Sequence, residues 1–288
     1  MPSLALQGAL LRRLARWASG GPEWFVRLAP PVVGLAVCAL APAPRRAIAV
    51  SLRRVRGERG AVREMLDVGR TFATYASCLA EVLGAGSARG RMPEAVVWGE
   101  LNLVDALSIG RGVIFATAHT AGWETVGPLL SRDHALRVMI AEAPEGDAAT
   151  RAIQDGARRA QGLLVAHVGA DPLSALPLAR HLREQGVVAL QIDRTPVGQR
   201  TREVTVLGAR TRMPEGPLRL AALTGAPVLP VFAARTGHRR YVVVAHPPIR
   251  LARDAGQIEL DAAAQILADA LTDFLRAHPT QWFHFRGD

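Results

Sequence analysis

Short, unbroken runs of apolar and β-branched residues, each followed by a helical or turn-rich stretch, constrain this chain more than any other feature. They are Val96–Trp98, Val113–Ala118, Arg137–Ala141, Leu163–His167, Val187–Ile192, Glu203–Val206, Pro227–Phe232 and Tyr241–Ala245. A strand exposed on one side alternates apolar and polar residues, whereas a strand covered on both faces is apolar throughout. Runs of the second kind, alternating with helices, predict an α/β fold with a mostly parallel central sheet flanked by helices. In such sheets ligands bind beyond the carboxyl ends of the strands, so polar residues at those ends carry the functional interest.

The 288 residues divide into an N-terminal helical, membrane-associating region over 1–90 and an α/β domain over 91–288. With 49% hydrophobic and 21% charged residues, the chain has the apolar area that a packed core needs. The net charge of +10 is carried by arginine, since no lysine occurs. Ten arginines lie between Arg12 and Arg59, opposed only by Glu23 and Glu58, a block that attracts anions such as lipid headgroups, nucleic acid or an acidic carrier protein. Leu6, Leu10, Leu14 and Trp17 recur at helical spacing with arginines between them, as in a helix lying in a lipid interface. The apolar run Leu28–Pro44 is interrupted by Pro30, Pro31, Pro42 and Pro44 and falls short of the roughly 20 residues a spanning helix needs. It is also a poor signal peptide, so the expectation is a protein lying on a membrane rather than crossing it. Met65, Phe72, Tyr75, Leu79 and Val82 trace the inward stripe of a packing helix, closed by a linker at Gly84–Gly90 that lacks a phosphate-binding fingerprint. Cys38 and Cys78 have no zinc or disulfide spacing, which fits a reducing compartment.

The segment Gly112-Val-Ile-Phe-Ala-Thr-Ala-His119-Thr-Ala-Gly-Trp-Glu124 runs a buried strand directly into a histidine, a small-residue turn and an acid. Positions five apart on one regular helix point about 140° away from each other. The pair meets only if His119 sits in the turn before a helix that begins near Gly122. A carboxylate there fixes one imidazole nitrogen and leaves the other to take a proton from a hydroxyl. That is the His–acid half of a Ser-His-Asp triad, with a substrate hydroxyl in place of the serine. Alternatively, Glu124 caps the helix and His119 is a satisfied interior polar group.

His119-Thr-Ala-Gly-Trp-Glu124 resembles the H-x-x-N-W-E signature of the bacterial lipid A biosynthesis acyltransferases, within the lysophospholipid acyltransferase superfamily and its H-x4-D/E motif. Val187–Arg194 followed by Val204–Gly208 is similar to the family's acidic strand end and later glycine element. Leu220–Pro230 matches its A-x-x-T-G-A-P-V-x-P segment, and Pro279–Arg286 resembles its P-x-Q-W-x-W-x-H-R-R ending. Gly122, Arg194 and His284 stand where Asn, Gln and an aromatic residue are usual. The resemblance implies direct transfer of a fatty acyl group from a thioester on acyl carrier protein or coenzyme A to a lipid or glycolipid hydroxyl. It implies no metal, no bound cofactor and no covalent acyl-enzyme. It places the protein at the cytoplasmic face of the bacterial inner membrane, with His119 and Glu124 as catalytic residues.

Arg159, Asp193 and Arg194 are the substrate-binding candidates. Asp193 either orders an arginine, contacts the acceptor or is a turn aspartate. Arg159 and its neighbour Arg158 precede Gly162 in an R-x-x-G context, and guanidinium suits phosphate; either can instead form a solvated face, Arg158 more so than Arg159. Three rival functions remain. A nucleic-acid-binding protein would explain the charge, but aromatics are only 5% and no docking motif is present. A hydrolase could use the same pair on water, although no G-x-S-x-G turn occurs. A non-catalytic membrane scaffold leaves His119 and Glu124 unexplained.

Overall fold

Nine strands form in the computed structural model, which describes residues 22–85, 93–123, 127–129, 135–142, 155–156, 158–159, 161–169, 171–195 and 198–285. They are β1 (Glu94–Trp98), β2 (Val113–Thr117), β3 (Val138–Glu142), β4 (Leu164–His167), β5 (Val187–Gln191), β6 (Thr201–Val206), β7 (Ala209–Pro214), β8 (Val228–Gly237) and β9 (Arg240–Ala245). Seven of them build one sheet in the order β1-β9-β8-β2-β5-β3-β4. Every neighbouring pair is parallel except β8 with β9, so a parallel block from β8 to β4 meets a reversed pair at one edge. Seven of the eight apolar runs thus form the mostly parallel α/β sheet that their composition implies, whereas Glu203–Val206 falls in β6, outside it.

β6 and β7 stand apart as an antiparallel hairpin. Its turn places Leu207 and Gly208 at φ of 53° and 79°, the pair of positive values that suits a tight hairpin. β7 reads Ala-Arg-Thr-Arg-Met-Pro and carries no apolar run. A hairpin packed on one face only can be that polar, which is why the sequence did not reveal it.

Helices cover both faces: α4 (Glu100–Ser108), α5 (Leu176–Arg183), α6 (Gly216–Thr224) and α7 (Gln257–Ala277). On one face Leu260, Leu267, Leu271 and Phe274 of α7 pack with Ile114, Val188, Val228 and Phe232. On the other, Leu103 and Ala106 of α4 pack with Phe115, Val138, Val187 and Leu229.

Ahead of the sheet come α1 (Glu23–Leu40), α2 (Pro42–Arg56) and α3 (Ala61–Ala85). Leu6–Trp17 lies outside the described residues, as does the linker beyond Ala85. α1 runs without a break through Pro30 and Pro31, so those prolines do not divide the apolar run as expected. Two backbone donors are lost there, and packing on α3 holds the helix together. Pro42 and Pro44 fall in the first turn of α2, where backbone N–H groups have no helical partner in any case. At 18 residues α1 is long and apolar enough to cross a membrane by length and composition, and Trp24, Leu28, Val32 and Leu40 stand exposed on it.

Gly34 seats α1 against α3: a Cβ built there would lie 2.5 Å from the Phe72 carbonyl oxygen. Gly34→Leu should therefore push the helices apart at a cost of about 1–3 kcal/mol, seen as a melting temperature several degrees lower. An unchanged melting temperature would show that α1 contributes little to the folded core.

The buried side of α3 differs from the apolar stripe. Met65 is 68% exposed, while Asp67, Thr71, Ser77 and Glu81 are buried with Val68, Phe72 and Cys78. The polar members have partners: Arg56 and Arg59 donate to Asp67, and Arg235 and Tyr241 donate to Glu81. Paired charges can be buried where lone ones cannot, so hydrophobicity alone found Phe72 but not the rest of the buried face.

Candidate active site

β2 and β5 lie side by side with Thr117 opposite Gln191, and the ladder continues past both ends through Ile192 N–H to Thr117 O at 2.8 Å. His119 and Asp193 therefore emerge together, each two residues beyond its partner in that row. His119 Nδ1 is 2.9 Å from Asp193 Oδ1, and the His119 backbone N–H donates to Oδ2 at 3.2 Å. The Trp282 indole N–H also donates to Oδ2, at 2.9 Å. The Asp193 side chain is wholly buried and that of His119 is 19% exposed. Burial by itself raises the Asp193 pKa; the His119 charge, hydrogen bonds from His119 and Trp282, and the Arg194 charge outweigh it and hold the carboxyl at about 2. An ionised carboxylate can only accept, so in the neutral imidazole Nδ1 carries the proton and Nε2 presents its lone pair.

The carboxyl-terminal segment holds this pair in place. Phe283 N–H donates to His119 O at 2.7 Å, Ala121 N–H to Gln281 O at 3.0 Å, and Arg194 to Phe283 O at 2.7 Å. The Gln281 amide bonds both the N–H and the C=O of Arg235 on β8. Phe283 and Phe285 pack edge-on against Tyr75 of α3 with centroids 5.1 and 4.9 Å apart. Glu81 of the same helix takes Arg235 and Tyr241, so the helical region buttresses the site directly. Gly122 has φ 89°, and a Cβ there would meet the Tyr241 ring at 2.5 Å. Glycine rather than the usual asparagine therefore fits this turn beside this tyrosine.

The other sequence candidates are placed as follows. Glu124 lies outside the described residues. Asp193 faces His119, and Arg194 donates to the tail carbonyl of Phe283. Arg159 is the outward arginine, 64% exposed and 3.6 Å from Asp155. Arg158 turns inward, 12% exposed, 2.5 Å from Glu142 and with its guanidinium 5.7 Å from the Trp123 ring centre. The solvated arginine is thus Arg159, the reverse of the ranking from sequence. Trp282 and Gln281 carried a sequence signal only as part of the terminal motif; an indole N–H or amide in an apolar block needs a partner, but the fold alone names it.

An apolar cleft, partly open to solvent, lies along the sheet under β2, β3, β5 and β8. Phe115, Ile140, Ala189 and Val231 line it, and Thr117, Gln191 and Trp123 stand toward its histidine end. The Trp123 ring lies edge-on to that of His119, with centroids 5.9 Å apart. A second cleft brings Arg54, Arg212 and His284 near Asp193 and Trp282. Among the described residues no cluster of three His, Cys, Asp or Glu is placed to hold a metal ion.

The fold and site thus define an α/β protein with a histidine whose Nδ1 meets a buried carboxylate at the carboxyl edge of a parallel sheet, beside an apolar cleft. The chain belongs to the bacterial lipid A biosynthesis acyltransferase family, whose model matches residues 33–287. It is 30% identical over 195 residues to the phosphatidylinositol mannoside acyltransferase of Mycobacterium tuberculosis, covering 67% of this chain and 59% of that protein. Its namesake from Mycolicibacterium smegmatis is 25% identical over 181 residues, covering 63% and 58%. The chain thus spans less than two thirds of the length of these curated relatives. Among solved structures, the 1-acyl-sn-glycerophosphate acyltransferase PlsC of Thermotoga maritima is 15% identical with a TM-score of 0.39, covering 86% of this chain and 96% of that one.

Proposed function

We propose that this chain is an O-acyltransferase that moves a fatty acyl group from a thioester of acyl carrier protein or coenzyme A to a hydroxyl of a lipid or glycolipid. The contact between His119 Nδ1 and the buried Asp193 carboxylate carries the reading. Nε2 takes the proton of the acceptor hydroxyl as its oxygen attacks the thioester carbonyl carbon, and the carbonyl electron pair moves onto oxygen. Asp193 holds the tautomer and offsets the imidazolium charge. Collapse of the intermediate re-forms the carbonyl and expels the thiolate, which takes the proton back from Nε2. We assign the orienting carboxylate to Asp193 rather than Glu124, the sequence candidate for that role.

The apolar cleft suits the acyl chain, whose burial is worth about 0.8 kcal/mol per methylene. Phosphatidylinositol mannoside, the acceptor in the relatives' names, supports a glycolipid hydroxyl as the acceptor class. The exposed apolar side of α1 and the arginine block support attachment to an anionic membrane, which for this chemistry is the cytoplasmic face of a bacterial inner membrane. Incubating the purified chain with palmitoyl-coenzyme A and vesicles containing phosphatidylinositol mannosides should yield a lipid heavier by one acyl chain and an equal amount of free thiol. Free palmitate without acylated lipid would instead establish a hydrolase.

A further inference from the structure

Gln191 is the last residue of β5, directly opposite Thr117 and two residues before Asp193. Two residues of strand advance about 6.6 Å, so Thr117 and Gln191 form the row next to the catalytic pair. The row beneath is Phe115 opposite Ala189, and both rows line the apolar cleft. The Gln191 side-chain nitrogen is buried and meets no hydrogen-bond acceptor among the described residues. Burying a polar group without a partner is unfavourable, and a leucine would fill the same space without that penalty. An unsatisfied donor at the histidine end of an apolar cleft is suited to a ligand oxygen.

We propose that the Gln191 amide donates to the carbonyl oxygen of the acyl donor and holds the negative charge that oxygen acquires in the tetrahedral intermediate. The inference rests on the acyltransferase reading of the cleft. An acyl chain lying over Phe115 and Ala189 must cross the Thr117–Gln191 row to bring its carbonyl carbon to a hydroxyl held by His119. The polar atom that every such chain carries at that point is the carbonyl oxygen. When the acceptor oxygen bonds to the carbonyl carbon, the π pair moves onto that oxygen and strengthens its bond to the amide N–H. The interaction is therefore stronger in the transition state than in the bound thioester, and it raises kcat more than it lowers KM.

Gln191→Leu removes the donor and keeps the bulk. With palmitoyl-coenzyme A and phosphatidylinositol mannoside vesicles, kcat should fall about 10²–10³-fold, the usual effect of deleting one such donor, with KM for the thioester little changed. The melting temperature should hold or rise, because the unpaired amide is gone. Gln191→Glu, which puts negative charge beside the developing oxyanion, should lose at least as much. In His119→Ala protein, which binds the thioester without turning it over, the 13C carbonyl stretch of [1-13C]palmitoyl-coenzyme A should move to higher frequency when Gln191→Leu is added. A kcat within threefold of the parent, or an unmoved carbonyl band, would overturn the proposal while leaving the acyltransferase reading intact. A parent enzyme that transfers no acyl group overturns both.

Discussion

Replacing His119 with alanine should reduce acyl transfer by at least 10²–10⁴-fold, the range that a positioned general base supplies. The substitution removes the nitrogen that accepts the hydroxyl proton and leaves the cleft and the tail untouched. Asp193 keeps two donors, the backbone N–H of residue 119 and the Trp282 indole, so its buried charge is not stranded. Loss of one hydrogen bond to a charged group costs about 1.5–3 kcal/mol, small enough for the protein to stay folded. Steady-state transfer beside a circular dichroism melt separates the two effects. Transfer within tenfold of the parent, in protein that melts normally, would remove His119 as the base.

The second large effect is expected at Asp193. Asparagine can still accept from Trp282, but it offers an N–H toward Nδ1 and favours the tautomer with the proton on Nε2. That nitrogen then cannot take a proton from a hydroxyl, and the corresponding change in a serine protease triad costs about 10⁴-fold. Asp193→Asn should thus approach the His119→Ala loss, and the double variant should be scarcely worse than either alone, because the pair acts as one unit. Glu124→Gln provides the comparison: a greater loss there than at Asp193 would return the orienting role to Glu124. A pH effect accompanies the change. The Asp193 pKa falls from 3.8 to about 2 on folding, so the carboxylate stabilises the fold by about 2 kcal/mol above pH 4 and loses that contribution as pH falls through 2. Acid unfolding of Asp193→Asn should lack this component.

The ease with which His119 is found contrasts with the difficulty of finding its partner. A strand buried on both faces advertises itself in a handful of consecutive residues, so Val113–Ala118 and the histidine after it are visible without any fold. Asp193 also follows an apolar strand, and its exit from β5 was equally visible. What the sequence could not show was that β5 is the strand beside β2. Strand order is settled by crossover connections and packing across the whole sheet, 74 positions apart in this case. Arg158 and Arg159 illustrate the same limit on a smaller scale, since which neighbour turns inward depends on Trp123 and Glu142 being there to receive it.

The N-terminal helices divide in a similar way. Apolar content alone marks α1, but its seat on α3, where Gly34 lies against the Phe72 backbone, appears only in the fold. The buried face of α3 was only partly legible because its charged residues are satisfied by arginines on other segments, and no pattern within the helix records that. By itself the sequence determined most of the elements, the parallel α/β class and the histidine at a strand end, because each arises from neighbouring residues and the hydrophobic effect. Only the tertiary structure decided the carboxylate on that histidine, the tail that clamps them both, and the amide facing the cleft, because each is a pairing between distant segments whose geometry exists only once the sheet has closed.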